Sequence, residues 1–215
     1  MLLLALLAAL SSTASDAKTY TLEDLQALRQ RGNFSELLEH LEDVAPGDRN
    51  NAWTLLARES LREGFKEVAP PAEAYRLEFF LERFMDRFAP QAKADAAFCF
   101  AVAKSTRQRL SEVRAMTYFE WGLPASPQPA QCQDVDLSQA VSQALRLPGE
   151  RREAQVARRV AFGPCFEPLK AVIKDAINAS ADGQANACAE MLARDALGGI
   201  TQKKCTRFVA ERGSP

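Results

Sequence analysis

Histidine is all but missing from this chain: His40 is the only one in 215 residues. One imidazole cannot build a His-rich zinc or copper site. Any Ser-His-Asp or Cys-His arrangement would have to run through that one residue. The sequence also lacks a zinc-type CxxC pair, a glycine-rich phosphate loop, a G-x-S-x-G elbow and a calcium loop. No residue is therefore assigned to catalysis, to a metal or to a cofactor. An excess of one charge is missing too. Lys and Arg number 27 against 28 Asp and Glu, a net charge of −1, so the overall field favours neither nucleic acid nor anionic lipid. Alternating β patterns are absent, and no long apolar segment follows the first ten residues.

What is present begins at the N-terminus. Leu2 to Leu10 is apolar, and Ser11-Ser12-Thr13-Ala14-Ser15-Asp16-Ala17 follows. A membrane span needs about 20 such residues, so this run is too short to cross a bilayer. An apolar core before small residues is the layout of a secretory signal over residues 1–17, although no Lys or Arg precedes it. Cleavage after Ala14 or Ala17 fits, and no cysteine is placed there to take a lipid anchor. The expected location is periplasmic or extracellular. Arginine outnumbers lysine 19 to 8 and alanine is abundant, which reads as a GC-rich, bacterial origin.

Beyond the signal the period is helical throughout. Thr21 to Asp24 forms a near capping box, with Tyr20 and Leu25 placed as a staple across it. Asn33 with Glu36 opens a second helix, whose Phe34, Leu37, Leu38, Leu41 and Val44 share one face. A third runs from Ala52 to Glu63 and is expected to stop at Gly64. Pro70-Pro71 is expected to start a fourth, with Leu77, Phe80, Leu81, Phe84 and Phe88 as its stripe. The fifth, Gln91 to Trp121, is apolar on nearly all sides from Ala94 to Ala103 and is expected to be central. Leu123 to Gln133 holds three prolines and reads as a linker. Further helices are expected near 136–146, 150–162, 167–180, 183–197 and 201–212. The fold class is all-α: an irregular multi-helix bundle or short helical-hairpin array of about nine or ten helices. Its parts are an N-terminal subdomain over 18–122, the linker 123–133 and a C-terminal subdomain over 134–215.

Five cysteines are present: Cys99, Cys132, Cys165, Cys188 and Cys205. In an exported chain disulfide pairing is the default, with one left over. Cys132 precedes one helix and Cys165 follows the next. Two helices running up and down bring those ends together, so Cys132 pairs with Cys165. Cys188 and Cys205 flank the Gly198-Gly199 turn unequally, a mismatch of roughly 6 Å at about 1.5 Å per residue. A bent turn absorbs that mismatch and permits the bond. A buried free thiol at Cys188 is the alternative. Cys99, between Phe98 and Phe100, reads as a small core residue, and a Cys99–Cys132 bond is the rival pairing. The C-terminal half is thus expected to be stapled.

Individual polar residues carry weaker signals. His40 sits off the apolar stripe near Glu36 and Asp43, as a boundary residue bonded to a carboxylate. Asp134 and Asp136 are spaced like calcium ligands, but Asp136 with Gln139 reads as a capping box. Glu112, Glu120 and Glu167 are the carboxylates through which glycoside chemistry could run; each reads as a helix-surface residue. Arg151, Arg152, Arg158 and Arg159 fall on one face and form a possible anion or partner patch. Asn33-Phe34-Ser35 and Asn178-Ala179-Ser180 match the glycosylation sequon, which carries no meaning in a bacterial chain.

Gly32-x-Phe34-x-Glu36-Leu37 and Trp53-x-x-Leu56-Ala57 with Gly64 resemble pieces of the tetratricopeptide repeat, over residues 20–70. Pro46 and Pro70-Pro71 depart from that family's pattern. The resemblance implies a surface for protein or peptide binding. The function expected is therefore an exported, non-catalytic binding or scaffold module with a protein or peptide partner. A small-ligand or lipid carrier is the alternative, with Phe79, Phe80, Phe84, Phe88, Phe98 and Phe100 around a cavity among the helices of 75–121. A carboxylate-based hydrolase is the remotest reading.

Overall fold

The computed structural model describes residues 19–179, 185–194, 196 and 199–212. The signal expected over 1–17, Ser180 of the second sequon and Gly198 of the expected turn lie outside the described residues. Among the described residues the chain is all-α, with thirteen helices and no strand. None is long and apolar enough to cross a membrane.

The first helices start where short polar side chains cap them. Thr21 and Asp24 complete a capping box for α1 (Leu22–Gln30). Asn33 accepts from the Glu36 N–H at the start of α2 (Phe34–His40). Asn50 accepts from Ala52 and Trp53 at the start of α3 (Asn51–Val68). That third helix passes straight through Gly64, contrary to the expected stop. A glycine inside a helix lacks a side chain to pack but does not end it. Here its bareness is used: a methyl on Gly64 would lie 2.7 Å from Leu38 Cδ1, so α2 packs against α3 at that point.

The fourth helix starts later than the prolines suggest. α4 spans Ala74–Phe80, with Glu73 as its N-cap. The Pro70-Pro71 turn before it is braced from outside: Arg109 donates to the Val68 and Ala72 carbonyls at 2.7 and 2.5 Å. α4 then widens into a π turn over Leu81–Met85, closed by the Asp86 N–H donating to the Leu81 carbonyl at 3.1 Å.

The expected central helix is three helices, a correction that accounts for most of the extra count. They are α5 (Ala89–Lys93), α6 (Ala96–Arg109) and α7 (Glu112–Gly122). Asp95 breaks the first junction by accepting from the Phe98 N–H, and Ser111 breaks the second by accepting from Arg114 N–H. Such short side chains compete for backbone donors and so favour caps over helix interiors. α6 and α7 form a hairpin of very close approach. A methyl on Gly122 would meet the Phe100 backbone nitrogen at 2.7 Å and the Ala96 carbonyl oxygen at 3.0 Å.

The C-terminal half comprises α8 (Pro129–Cys132), α9 (Val135–Ala144), α10 (Arg152–Phe162), α11 (Phe166–Ala179), α12 (Ala185–Ala193) and α13 (Gly199–Arg212). α7 packs on α9 and α10 as well as on α6. One cluster of buried apolar side chains runs from Leu25 to Cys205 without a break at 123–133.

Both expected disulfides are present. Cys132–Cys165 joins the end of α8 to the start of α11 with Cα atoms 5.2 Å apart. Cys188–Cys205 joins α12 to α13 at 5.0 Å. The mismatch expected for the second bond vanishes because the connection starts earlier than Gly198. α12 ends at Ala193, five residues past Cys188, and α13 starts at Gly199, six before Cys205. Gly199 takes φ +59°, a conformation glycine adopts without strain. Cys99 is free and buried, its Sγ donating to the Ala92 carbonyl.

Gly122→Ala is expected to destabilise the protein by about 1–3 kcal/mol in urea unfolding, because backbone cannot move aside. An unconstrained helix would instead gain about 1 kcal/mol from the same change, so the sign alone tests the contact. The disulfides are expected to contribute about 4 kcal/mol for Cys132–Cys165 and about 3 for Cys188–Cys205 in the chain-entropy account. Non-reducing peptide mapping checks the pairing, and Cys→Ser pairs check the magnitudes.

Candidate functional site

Where α4 leans on α2 and α3, an apolar groove of about 270 Å³ opens to the surface. α2 contributes Leu38, with Ser35 and Glu39 beside it. α3 contributes Gly64, Val68 and Glu67. α4 and the π turn contribute Tyr75, Arg76, Phe79, Phe80 and Phe84. The floor is made of buried side chains, Leu38, Val68, Phe80 and Phe84. The rim is not. Tyr75 is 67% exposed and Phe79 53% exposed, although both are large aromatics. They sit four residues apart, on one face of α4.

The charges of the rim differ in how they are used. Arg83 lies 5.6 Å over the Phe79 ring and pairs with Glu39 at 3.4 Å. Glu67 accepts from the Ser35 hydroxyl at 3.0 Å but meets no cation among the described residues. Arg76 makes no side-chain hydrogen bond or ion pair among them. The adjoining π turn adds a local irregularity of the kind that recurs at functional sites.

The aromatic cluster read from the sequence divides in two. Phe80, Phe84, Phe88 and Phe98 are buried. Rings stack edge-on or tilted at centroid distances of 5.7 Å (Phe65–Phe98), 5.8 Å (Phe80–Phe84) and 6.0 Å (Phe65–Phe80). Phe100 packs on Phe119 at 5.1 Å. Phe79 alone of that group stands at the rim. The rim pair was the missed signal: Tyr75 and Phe79 are spaced i, i+4 off the stripe of Leu77, Phe80 and Phe84.

Most of the other polar residues picked out in the sequence have structural partners. His40 Nδ1 is 2.8 Å from the Asp43 carboxylate, and its ring stacks on Tyr20 at 4.0 Å. Tyr20 in turn donates to Glu36 at 2.7 Å, and that bond leads the influences that raise its pKa. Asp134, not Asp136, caps α9, accepting from the Asp136 and Leu137 N–H groups. This corrects the capping box expected with Gln139, whose oxygen accepts from Arg107. The acidic pair faces cations of its own chain: Lys104 reaches both carboxylates at 2.9 and 3.3 Å, and Arg107 reaches Asp136 at 2.5 Å.

Of the three glutamates, Glu112 pairs with Arg107 at 3.5 Å, Glu120 with Arg159 at 2.7 Å and Glu167 with Lys170 at 3.9 Å. Glu112 and Glu120 share α7, about 12 Å apart along its axis at 1.5 Å per residue. Carboxylate pairs in glycosidases stand about 5 to 9.5 Å apart. The arginine patch is split. Arg158 and Arg159 line a broad, shallow groove with Glu190 of α12 and Arg194 just beyond its end, while Arg151 and Arg152 stand at the other end of α10. Arg158 donates to the Gly149 carbonyl, and Arg151 lies 3.6 Å from Glu153. Compared with known proteins, the chain matches no family model, no curated protein and no solved structure.

Among the described residues Asp95 and Asp136 are the buried carboxylates, 7% and 4% exposed. Burial pushes both pKa values up. Hydrogen bonds outweigh it, from Arg62 and the Phe98 N–H for Asp95, and from Arg107 and Lys104 for Asp136, holding both below the ordinary range. A carboxyl depressed by folding stabilises above its unfolded pKa, near 4, and loses that contribution as pH falls through its folded value. Stability should therefore hold from pH 7 to about 5 and fall below about 4. Asp136→Asn should cost about 1–3 kcal/mol at pH 7 and flatten the acid limb. Urea midpoints across pH measure both effects.

Proposed function

We propose that this protein is an exported, non-catalytic binding module that holds a protein or peptide partner in the groove of α2, α3 and α4. The observation that carries this reading is the pair Tyr75 and Phe79, exposed beside a buried apolar floor. Tyrosine and arginine are the residues most enriched where partners bind tightly, and the rim offers both with Arg76. Two large aromatics exposed together over an apolar floor, with polar side chains around them, are the pattern of an interaction site. The resemblance of residues 20–70 to tetratricopeptide hairpins points the same way.

The size of the groove ranks the alternatives. Sites for small molecules usually hold about 300–1,000 Å³ and enclose most of the ligand. At about 270 Å³ and open on one side, this groove fits anchoring side chains better than a lipid. A small-ligand carrier is the second reading, favoured by the aromatic floor. Export is supported by the two disulfides, which persist in oxidising compartments. The short apolar N-terminus and the lack of a membrane-spanning helix among the described residues are compatible with it.

A photo-crosslinking amino acid placed at Tyr75, in cells of the source organism, tests the groove. The expected result is a covalent adduct to a polypeptide that disappears with Phe79→Asp. The same crosslinker at exposed Leu55 is expected to give none. Adduct formation indifferent to Phe79→Asp would sink the reading. A lipid or small molecule co-purifying in native mass spectrometry, and lost with Phe79→Asp, would establish the carrier instead.

A further inference from the structure

We infer that the partner in this groove is a second copy of the same chain, docked about a two-fold axis; the inference rests on the groove being a protein-binding surface. In a two-fold contact each residue meets a different residue of the identical patch, so the patch must complement itself. This one carries both halves of such a fit. Its α4 wall projects Tyr75 and Phe79, and beside them lies the recess over Leu38 and Val68. The charges divide the same way. The α4 wall bears Arg76, a guanidinium with no partner among the described residues. The α3 wall bears Glu67, a carboxylate with a hydroxyl partner but no cation. A half-turn across the groove sets each Arg76 over the other copy's Glu67 while the aromatic pairs enter the facing recesses.

Another cleft provides the contrast. Exposed Leu55 borders a hollow on α1 and α3 where Arg29 pairs with Glu59, Arg62 with Asp95 and Glu63 with Lys66, and where Arg58, without a carboxylate, donates to the Ala94 carbonyl. Both acids of that hollow, Glu59 and Glu63, are paired, so it offers no unmatched charges of opposite sign for a second copy to cross-pair. At the α4 groove the unmatched charges are of opposite sign and on opposite walls. That pattern suits a copy of itself better than a strongly acidic or basic partner.

Sedimentation equilibrium of the mature chain, disulfides intact, from micromolar to millimolar concentration is the test. The expected result is a reversible monomer–dimer equilibrium that Phe79→Asp abolishes. Arg76→Glu and Glu67→Arg should each weaken the dimer at least about tenfold, since each sets like charges face to face. Mixing those two variants should restore a heterodimer, because both cross-contacts are then oppositely charged. Circular dichroism and urea midpoints confirm that these surface variants fold. A protein that stays monomeric throughout overturns the inference, as does a dimer indifferent to all three substitutions. Monomer alone, with a Phe79-dependent adduct to a different polypeptide, removes the second copy but keeps the groove as a binding surface. Monomer with no such adduct removes both.

Discussion

The fold depends on one close approach. α7 can lie against α6 only because residue 122 carries no side chain; any Cβ there would enter the backbone at Phe100. With that contact made, Ala115, Met116 and Phe119 of α7 are fully buried, and α7 is in contact with α5, α6, α9 and α10. The N-terminal hairpins reach it through α5 and α6, and the stapled half through α9 and α10. Lys104 and Arg107 then tie α6 to Asp134 and Asp136 at the start of α9. A hydrophobic contact has no preferred direction, whereas these pairs do. They fix how the two halves are turned against each other, at the cost of taking the Asp136 carboxylate out of water.

A second glycine sets up the surface that matters. At Gly64 the missing side chain admits Leu38, and Phe80 closes from the other side, 3.3 Å from where a methyl would stand. α2, α3 and α4 therefore meet tightly at the floor and part above it. Phe79 and Tyr75 belong to the parted region. Burying two aromatic rings is worth several kcal/mol, and the fold leaves that stabilisation unrealised at the groove rim, where Tyr75 and Phe79 stay exposed. The arginine groove of α10 and α12 has no comparable reserve. Its guanidinium groups already serve the Gly149 carbonyl, Glu120 and the Phe162 carbonyl.

Helical class, the caps at Thr21 and Asn33, and the Cys132–Cys165 pair were all legible in the sequence, because each rests on local spacing. What escaped it rests on competition between equally ordinary options. Asp95 and Ser111 are unremarkable inside a helical pattern, and whether they cap or ride the surface is decided by what α6 and α7 gain by folding back. Gly64 and Pro70 looked like punctuation. In the structure Gly64 is a packing device, and Pro70 lies in a turn closed by a distant arginine. The groove escaped for a related reason. Phe79 reads as one more phenylalanine in a rich cluster, although its place off the stripe that takes Phe80 inside marks it as outward-facing.

The leftover thiol, Cys99, is free and buried, while the other cysteines form two disulfide-bonded pairs. A free cysteine in a chain with two disulfides is a threat to both, since its thiolate attacks the sulfur of a disulfide. The helix that carries Cys99 makes this harmless. Burial, the main cause, together with the nearby Asp95 charge, pushes the Cys99 thiol up to about 12. At neutral pH the sulfur is then the protonated thiol, the form that does not attack a disulfide. Its proton is held by the Ala92 carbonyl. Asp95 thus has two consequences from one position: it caps α6, and its charge helps keep the neighbouring sulfur protonated. The arrangement lets an odd cysteine sit in the core of a disulfide-bonded protein without scrambling the pairs that staple its far end.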